Sequence, residues 1–105
     1  MILIEKVKDY LRQNPIRCEL QYNDLDIWKY NADLCDITTG NITVNFSISI
    51  EQVRVPEYET NSTINKTPFI AVSKIEMYVG DTEVRLSDAQ ELHLISIIET
   101  NINVI

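Results

Sequence analysis

Between residues 41 and 50 the chain reads NITVNFSISI, an unbroken alternation of polar and apolar residues. Ile42, Val44, Phe46, Ile48 and Ile50 fall on one side, and Thr43, Asn45, Ser47 and Ser49 on the other. Successive side chains of an extended strand point to opposite faces, so this period of two dictates a strand with one buried face. The outer residues are small and polar, which suits an antiparallel sheet with its other face in water. Such a strand needs partners along its edges and a layer over its apolar side. The rest of the chain must supply both.

The best-specified partner is a hairpin. In SKIEMYVGDTEVRLSDAQELHLISII, residues 73–98, Ile75, Met77 and Val79 share a face. Gly80-Asp81 is a two-residue turn with glycine first, the pattern of a type II′ hairpin. It sets Val79 opposite Thr82, Met77 opposite Val84, Ile75 opposite Leu86, and Glu76 opposite Arg85. Ile70 and Val72 alternate just before, with a slip of phase near Ser73-Lys74. A second slip, at Glu51-Gln52, separates Ile50 from Val53 and Val55. One extra residue of this kind is what a β-bulge inserts.

Upstream, Ile16, Cys18, Leu20 and Tyr22 alternate with Arg17, Glu19 and Gln21, predicting one strand that Asn23-Asp24 turns. In the following LDIWKYNADLCDI, Leu25, Trp28, Ala32 and Cys35 fit a helix. Leu25 and Ile27 with Trp28 and Tyr30 fit a twisted strand, and the aromatic and β-branched content favours the strand. Thr38-Thr39-Gly40-Asn41 is the next turn. Residues 56–68, bracketed by Pro56 and Pro68, have no clear period and predict a long loop, a place where function often sits.

Helices close both ends. Leu3, Ile4, Val7, Tyr10 and Leu11 recur at helical spacing over residues 2–13. Asn14, in a left-handed conformation, and Pro15 would end that helix. Ser87 and Gln90 form a capping box, and Asp88 and Glu91 put negative charge at the positive end of the helix dipole. Leu92, Ile95, Ile98 and Ile102 make its inward stripe. Leu94 and Ile97 lie outside that stripe and call for a second covering layer or a homo-oligomer contact. The tail NINVI is strand-like, so this helix ends near Thr100. The expected fold is α+β: one antiparallel sheet of about five strands with an N-terminal and a C-terminal helix, in a single domain spanning 1–105.

Charge limits the partners. Nine Lys and Arg against 16 Asp and Glu leave a formal net charge of -7. Phosphate backbones are repelled, so no direct nucleic-acid contact is expected and a protein with a basic surface is favoured. The start MILIEKVKDYL lacks the apolar core of a signal peptide, and no stretch is long enough for a membrane span. The expectation is a cytoplasmic protein without membrane contact. Its two cysteines, Cys18 and Cys35, then read as buried thiols, and four Asn-x-Ser/Thr tripeptides as accidents of composition.

Little in the sequence points to catalysis. The single histidine, His93, and two cysteines lack metal-site spacing, so no metal or cofactor is expected. The only glycines, Gly40 and Gly80, are far apart and make no phosphate loop. Neither a nucleophile–base set nor a glycosidase-type carboxylate pair is marked, which argues for a non-enzyme. What remains is surface. Trp28 and Tyr30 stand among Asp24, Asp26, Asp33 and Asp36, and aromatics ringed by acids can anchor a basic partner. Tyr58, between Glu57 and Glu59 in the Pro-bracketed segment, is a second such anchor. Trp28 as plain core, and that segment as plain loop, are the competing readings.

The layout over residues 41–105 resembles small phage-encoded proteins: a strand, a Pro-containing variable loop, a hairpin, then a helix opened by Ser or Thr with acids. Some small acidic proteins of that kind bind and block host defence or transcription machinery. The resemblance implies a host-directed binder and inhibitor, in the host cytoplasm, and assigns no residue. A virion structural protein that assembles through exposed sheet edges and a DNA mimic are the alternatives.

Overall fold

The computed structural model describes residues 2–57 and 62–105, apart from the side chains of 57 and 62–64. Helix α1 (Ile2–Gln13) leads into strands β1 (Ile16–Cys18), β2 (Gln21–Asp24), β3 (Ile27–Thr39), β4 (Ile42–Glu57), β5 (Ser62–Asn65), β6 (Phe69–Val79) and β7 (Thr82–Val84). Helix α2 (Asp88–Thr100) and strand β8 (Ile102–Val104) complete the chain. The main sheet is antiparallel in the order β2-β3-β4-β6-β7, with β5 on the far end of β4. This is the expected α+β fold. One element was not anticipated: β1 and β8 form a separate parallel pair, Ile16 beside Ile102.

The alternation in β4 does what its period requires. Ile42, Val44, Phe46, Ile48 and Ile50 are buried, and they face Ile4, Val7 and Leu11 of α1 and Leu94, Ile97 and Ile98 of α2 within one core. The 25–36 stretch is strand, as its aromatic content favoured. Thr39 pairs with Ile42 and Val79 with Thr82, so glycine sits first in both tight turns. Gly40 and Gly80 both take φ 60, which a side chain would resist. The two turns lie side by side, with Gly80 N–H donating to the Asn41 carbonyl at 2.8 Å.

Several expectations are corrected. The strand over 16–22 is two strands, because β1 turns aside to join β8, and Tyr22 emerges 61% exposed. The turn after it is Leu25-Asp26, both at positive φ, with Asn23 and Asp24 inside β2. Asn14 is not left-handed; its side-chain amide donates to the Tyr10 carbonyl and closes α1 that way. The ladder runs without a break from Ile48 to Val53, so Glu51-Gln52 is no bulge. The slip at Ser73-Lys74 is real, with Lys74 at φ 56. A second bulge, at Asp33-Leu34, lies across β4 from it, and both stand against Phe46-Ser47. The β6–β7 ladder stops at Val84, short of Arg85 and Leu86. The Pro-bracketed segment is not a loop throughout: β4 continues to Glu57 and β5 pairs with it.

Helix α2 is capped as expected. Ser87 Oγ accepts from Gln90 N–H at 3.2 Å, and Gln90 Oε1 accepts from Ser87 N–H at 2.9 Å. Its inward stripe is different. Leu94 and Ile97 are buried and Leu92 is exposed, because the helix packs on β6 with one side and on α1 with another. A helix with two apolar neighbours needs more than one apolar stripe. Leu94 and Ile97 therefore cannot serve as a homo-oligomer contact. Glu99, from the same helix, accepts from Val72 N–H at 3.1 Å and satisfies an edge donor of β6.

The helices cover only part of the sheet. The sixteen residues of β4 outrun them, and the molecule measures 55 × 24 × 21 Å. Its radius of gyration is 16.1 Å, against about 13 Å for a compact chain of this length. The far ends of β3 and β4, with β2 and β5 beside them, form an arm.

Candidate functional site

Gln52 marks where the core gives way to the arm. It follows Ile50 on the inner face of β4 and is 8% exposed. Its amide is satisfied twice: Nε2 donates to the Lys66 carbonyl at 2.7 Å, and Oε1 accepts from Arg54 Nε at 2.8 Å. Buried amides need such partners. Held this way, the Arg54 guanidinium lies over Trp28 at 4.8 Å from the ring centroid. Tyr22, paired with Trp28 across β2 and β3, meets its ring edge-on at 5.8 Å between centroids and 72° between planes. Cation–π and edge-to-face contacts each add to simple burial. Tyr22, Asp26, Trp28, Arg54, Pro56 and Asn65 enclose an open cleft of about 460 Å³. Trp28 is neither plain core nor a bare anchor: it is half-buried and framed on two sides.

The acidic segment is not one cluster. Asp24 and Asp26 flank the arm's turn, and Leu25 between them is 79% exposed. Asp33 and Asp36 lie seven to ten residues farther along β3, about 23–33 Å away at strand spacing. There they border a second cleft, of about 430 Å³, with Leu34, Ser47, Lys74 and Glu76. Ser47, on the solvent face but buried, donates to the Asp33 carbonyl at 2.9 Å. Tyr30 sits between the two groups and belongs to neither. It is half-buried, and burial followed by Cys18 and Cys35 pushes its hydroxyl pKa up. Glu57 ends β4 and its side chain lies outside the described residues, as do Tyr58 and Glu59.

Both cysteines are free thiols. Cys18 is buried, and burial first, then Cys35, pushes its pKa up while hydrogen bonding to Tyr30 pulls it down. Cys35 is half-buried and is pushed up by burial, then by Asp36 and Asp33. Thiols held this way resist ionisation and make poor nucleophiles. His93 stands exposed on α2. Among the described residues no group of three His, Cys, Asp or Glu side chains is placed to hold a metal ion. No described helix is long and apolar enough to cross a membrane.

Sequence reasoning missed Arg54, Tyr22 and Phe69 as surface-forming residues, and Gln52 as the buried amide that holds Arg54. Arg54 carried one usable signal, an isolated cation two residues from a polar break in an apolar alternation. Phe69 is 70% exposed on the outer face, beside the 3.3 Å ion pair between Lys29 and Glu51. No family model matches this chain, and no curated protein or solved structure matches it either.

Proposed function

We propose that this chain is a non-catalytic binding protein that engages a basic protein partner with the inner face and tip of its arm. The observation that carries the reading is the framed Trp28 cleft, an aromatic and arginine surface beside Asp24 and Asp26 and outside the helical cover. Tryptophan, tyrosine and arginine dominate the energetics of protein interfaces. The acids at the turn and the net charge of -7 steer a cationic partner towards it. If the resemblance of its layout to small phage-encoded proteins is followed, the partner is a host protein of defence or nucleic-acid processing, met in the host cytoplasm and inhibited by occupation. Asp33 and Asp36 belong to a separate surface in this reading. That separation weakens DNA mimicry, which needs carboxylates in a regular row.

The test is affinity capture from bacterial lysate with wild type, Trp28→Ala and the pair Asp24→Lys with Asp26→Lys. The expected result is a basic protein captured by wild type, lost with either variant and weakened as salt rises. Identical capture by all three folded proteins overturns the reading. The second reading, an assembly protein, is favoured by the uncovered outer face of the sheet and predicts open-ended polymers with no lysate protein captured, which a closed dimer does not.

A further inference from the structure

The other face of the arm carries a different signal. Cross-strand partners share a face, so Lys29 on β3, Glu51 on β4 and Phe69 on β6 form one row across the solvent side. The next row towards the tip is Ile27 and Val53. Phe69 is 70% and Val53 39% exposed; farther along this face Leu34, at the β3 bulge, is 97% exposed but stands among Asp33, Asp36, Lys74 and Glu76. No helix covers these residues. The patch is apolar with one cation and one anion, so its net charge is zero in a chain of net charge -7.

The molecule also exposes more surface than its mass requires. Its accessible area is 7028 Å², against about 6,100 Å² for a compact monomer of 12.2 kDa. The excess, roughly 900 Å², reflects the elongated shape and is distributed over the whole molecule.

We infer that the outer face of the arm is an interface between two copies of this chain. The argument for a second copy is self-complementarity. An isologous interface places residue i on residue j and j on i. A twofold axis along the strands, between β3 and β4, lays Lys29 of each copy over Glu51 of the other. The same axis lays Ile27 over Val53, and Phe69 closes each flank. Two chains of charge -7 repel, and long-range repulsion is screened only beyond about 8 Å at physiological salt. A neutral patch is where they can meet without stacking like charges. The sheets then pack face to face at about 10 Å, as in a sandwich. This inference goes beyond the proposed binding function, because the Trp28 cleft lies on the opposite face and stays open in the pair.

The experiment is sedimentation of the intact chain over micromolar to sub-millimolar concentrations, with circular dichroism to check folding. Wild type is expected to pass from monomer to dimer. Phe69→Glu is expected to weaken association by roughly 30-fold or more, as loss of an interface hot spot does. Lys29→Glu alone and Glu51→Lys alone are expected to remain monomeric, whereas an equimolar mixture of the two dimerises, since each then meets its opposite charge. Wild type that stays monomeric at every concentration overturns the inference. So does a dimer that Phe69→Glu leaves intact, or a mixture that associates no better than its components. Loss of lysate capture by Trp28→Ala with the dimer retained keeps the two surfaces apart.

Discussion

The two ends of β4 are built on different principles. From Ile42 to Ile50 every second residue is buried under α1 and α2, and side-chain volume decides stability. From Gln52 onward the same strand has no helix above it, and named polar contacts replace bulk burial: an amide, a guanidinium and two aromatic rings. One strand can thus be core at one end and recognition surface at the other, with a single buried glutamine at the boundary.

The contrast is sharpest for truncations. Leu94→Ala, in the fully buried layer between sheet and α1, should cost about 2–5 kcal/mol. Phe69→Ala, on the outer face of β6, should stay within about 0.5 kcal/mol when measured at concentrations where the chain is monomeric. Urea midpoints compare them directly, and equal losses would erase the distinction between the halves. Gln52→Ala tests the boundary. Losing the part-buried hydrogen bond to the Lys66 carbonyl should cost about 1 kcal/mol, and freeing Arg54 should change Trp28 fluorescence. A stability loss without the fluorescence change would mean that Gln52 does not position the guanidinium.

Ser87→Ala should cost about 1 kcal/mol through the lost cap. An unchanged midpoint would show that burial of α2 alone sets its start. Smaller still, Lys29→Ala should change stability by at most about 1 kcal/mol, since both partners of its ion pair are substantially exposed. A larger loss would make the arm depend on electrostatics within the chain.

The smallest effect is a pH dependence. Cys18, Cys35 and Tyr30 all have pKa values raised in the fold, with burial the leading cause. The native state then holds protons that the unfolded chain releases, so stability falls as pH rises. For the thiols the contribution is intact below the unfolded pKa of about 8.5 and declines above it. Denaturation midpoints on either side of that value check the sign. Cys35→Ser should flatten the slope.

Much of this was legible beforehand. The alternation in β4, the hairpin at Gly80, the slip at Lys74 and the Ser87 cap were all read from local pattern. Three readings turned on contacts or distances that local pattern does not show. Gln52 looked like a slip of phase because a polar residue at an inward position breaks the alternation, although its hydrogen bonds make the position legitimate. Leu94 and Ile97 stood outside the single stripe and called for a second covering layer or a partner, and α1 supplies the covering layer. The acids of residues 24–36 looked like a single patch because the distance along an extended strand is invisible in a count of residues.

Periodicity, turn chemistry and capping are properties of neighbours in sequence, so the chain by itself determined where strands and helices form and which face of β4 is apolar. It also determined the charge that governs partners. Where the helical cover stops is different. That depends on how far two short helices reach along a sixteen-residue strand. So do the meeting of Arg54 with Trp28 and of β1 with β8, contacts between segments far apart in sequence. Tertiary packing alone decided these, because burial is set by what else occupies the space beside a residue.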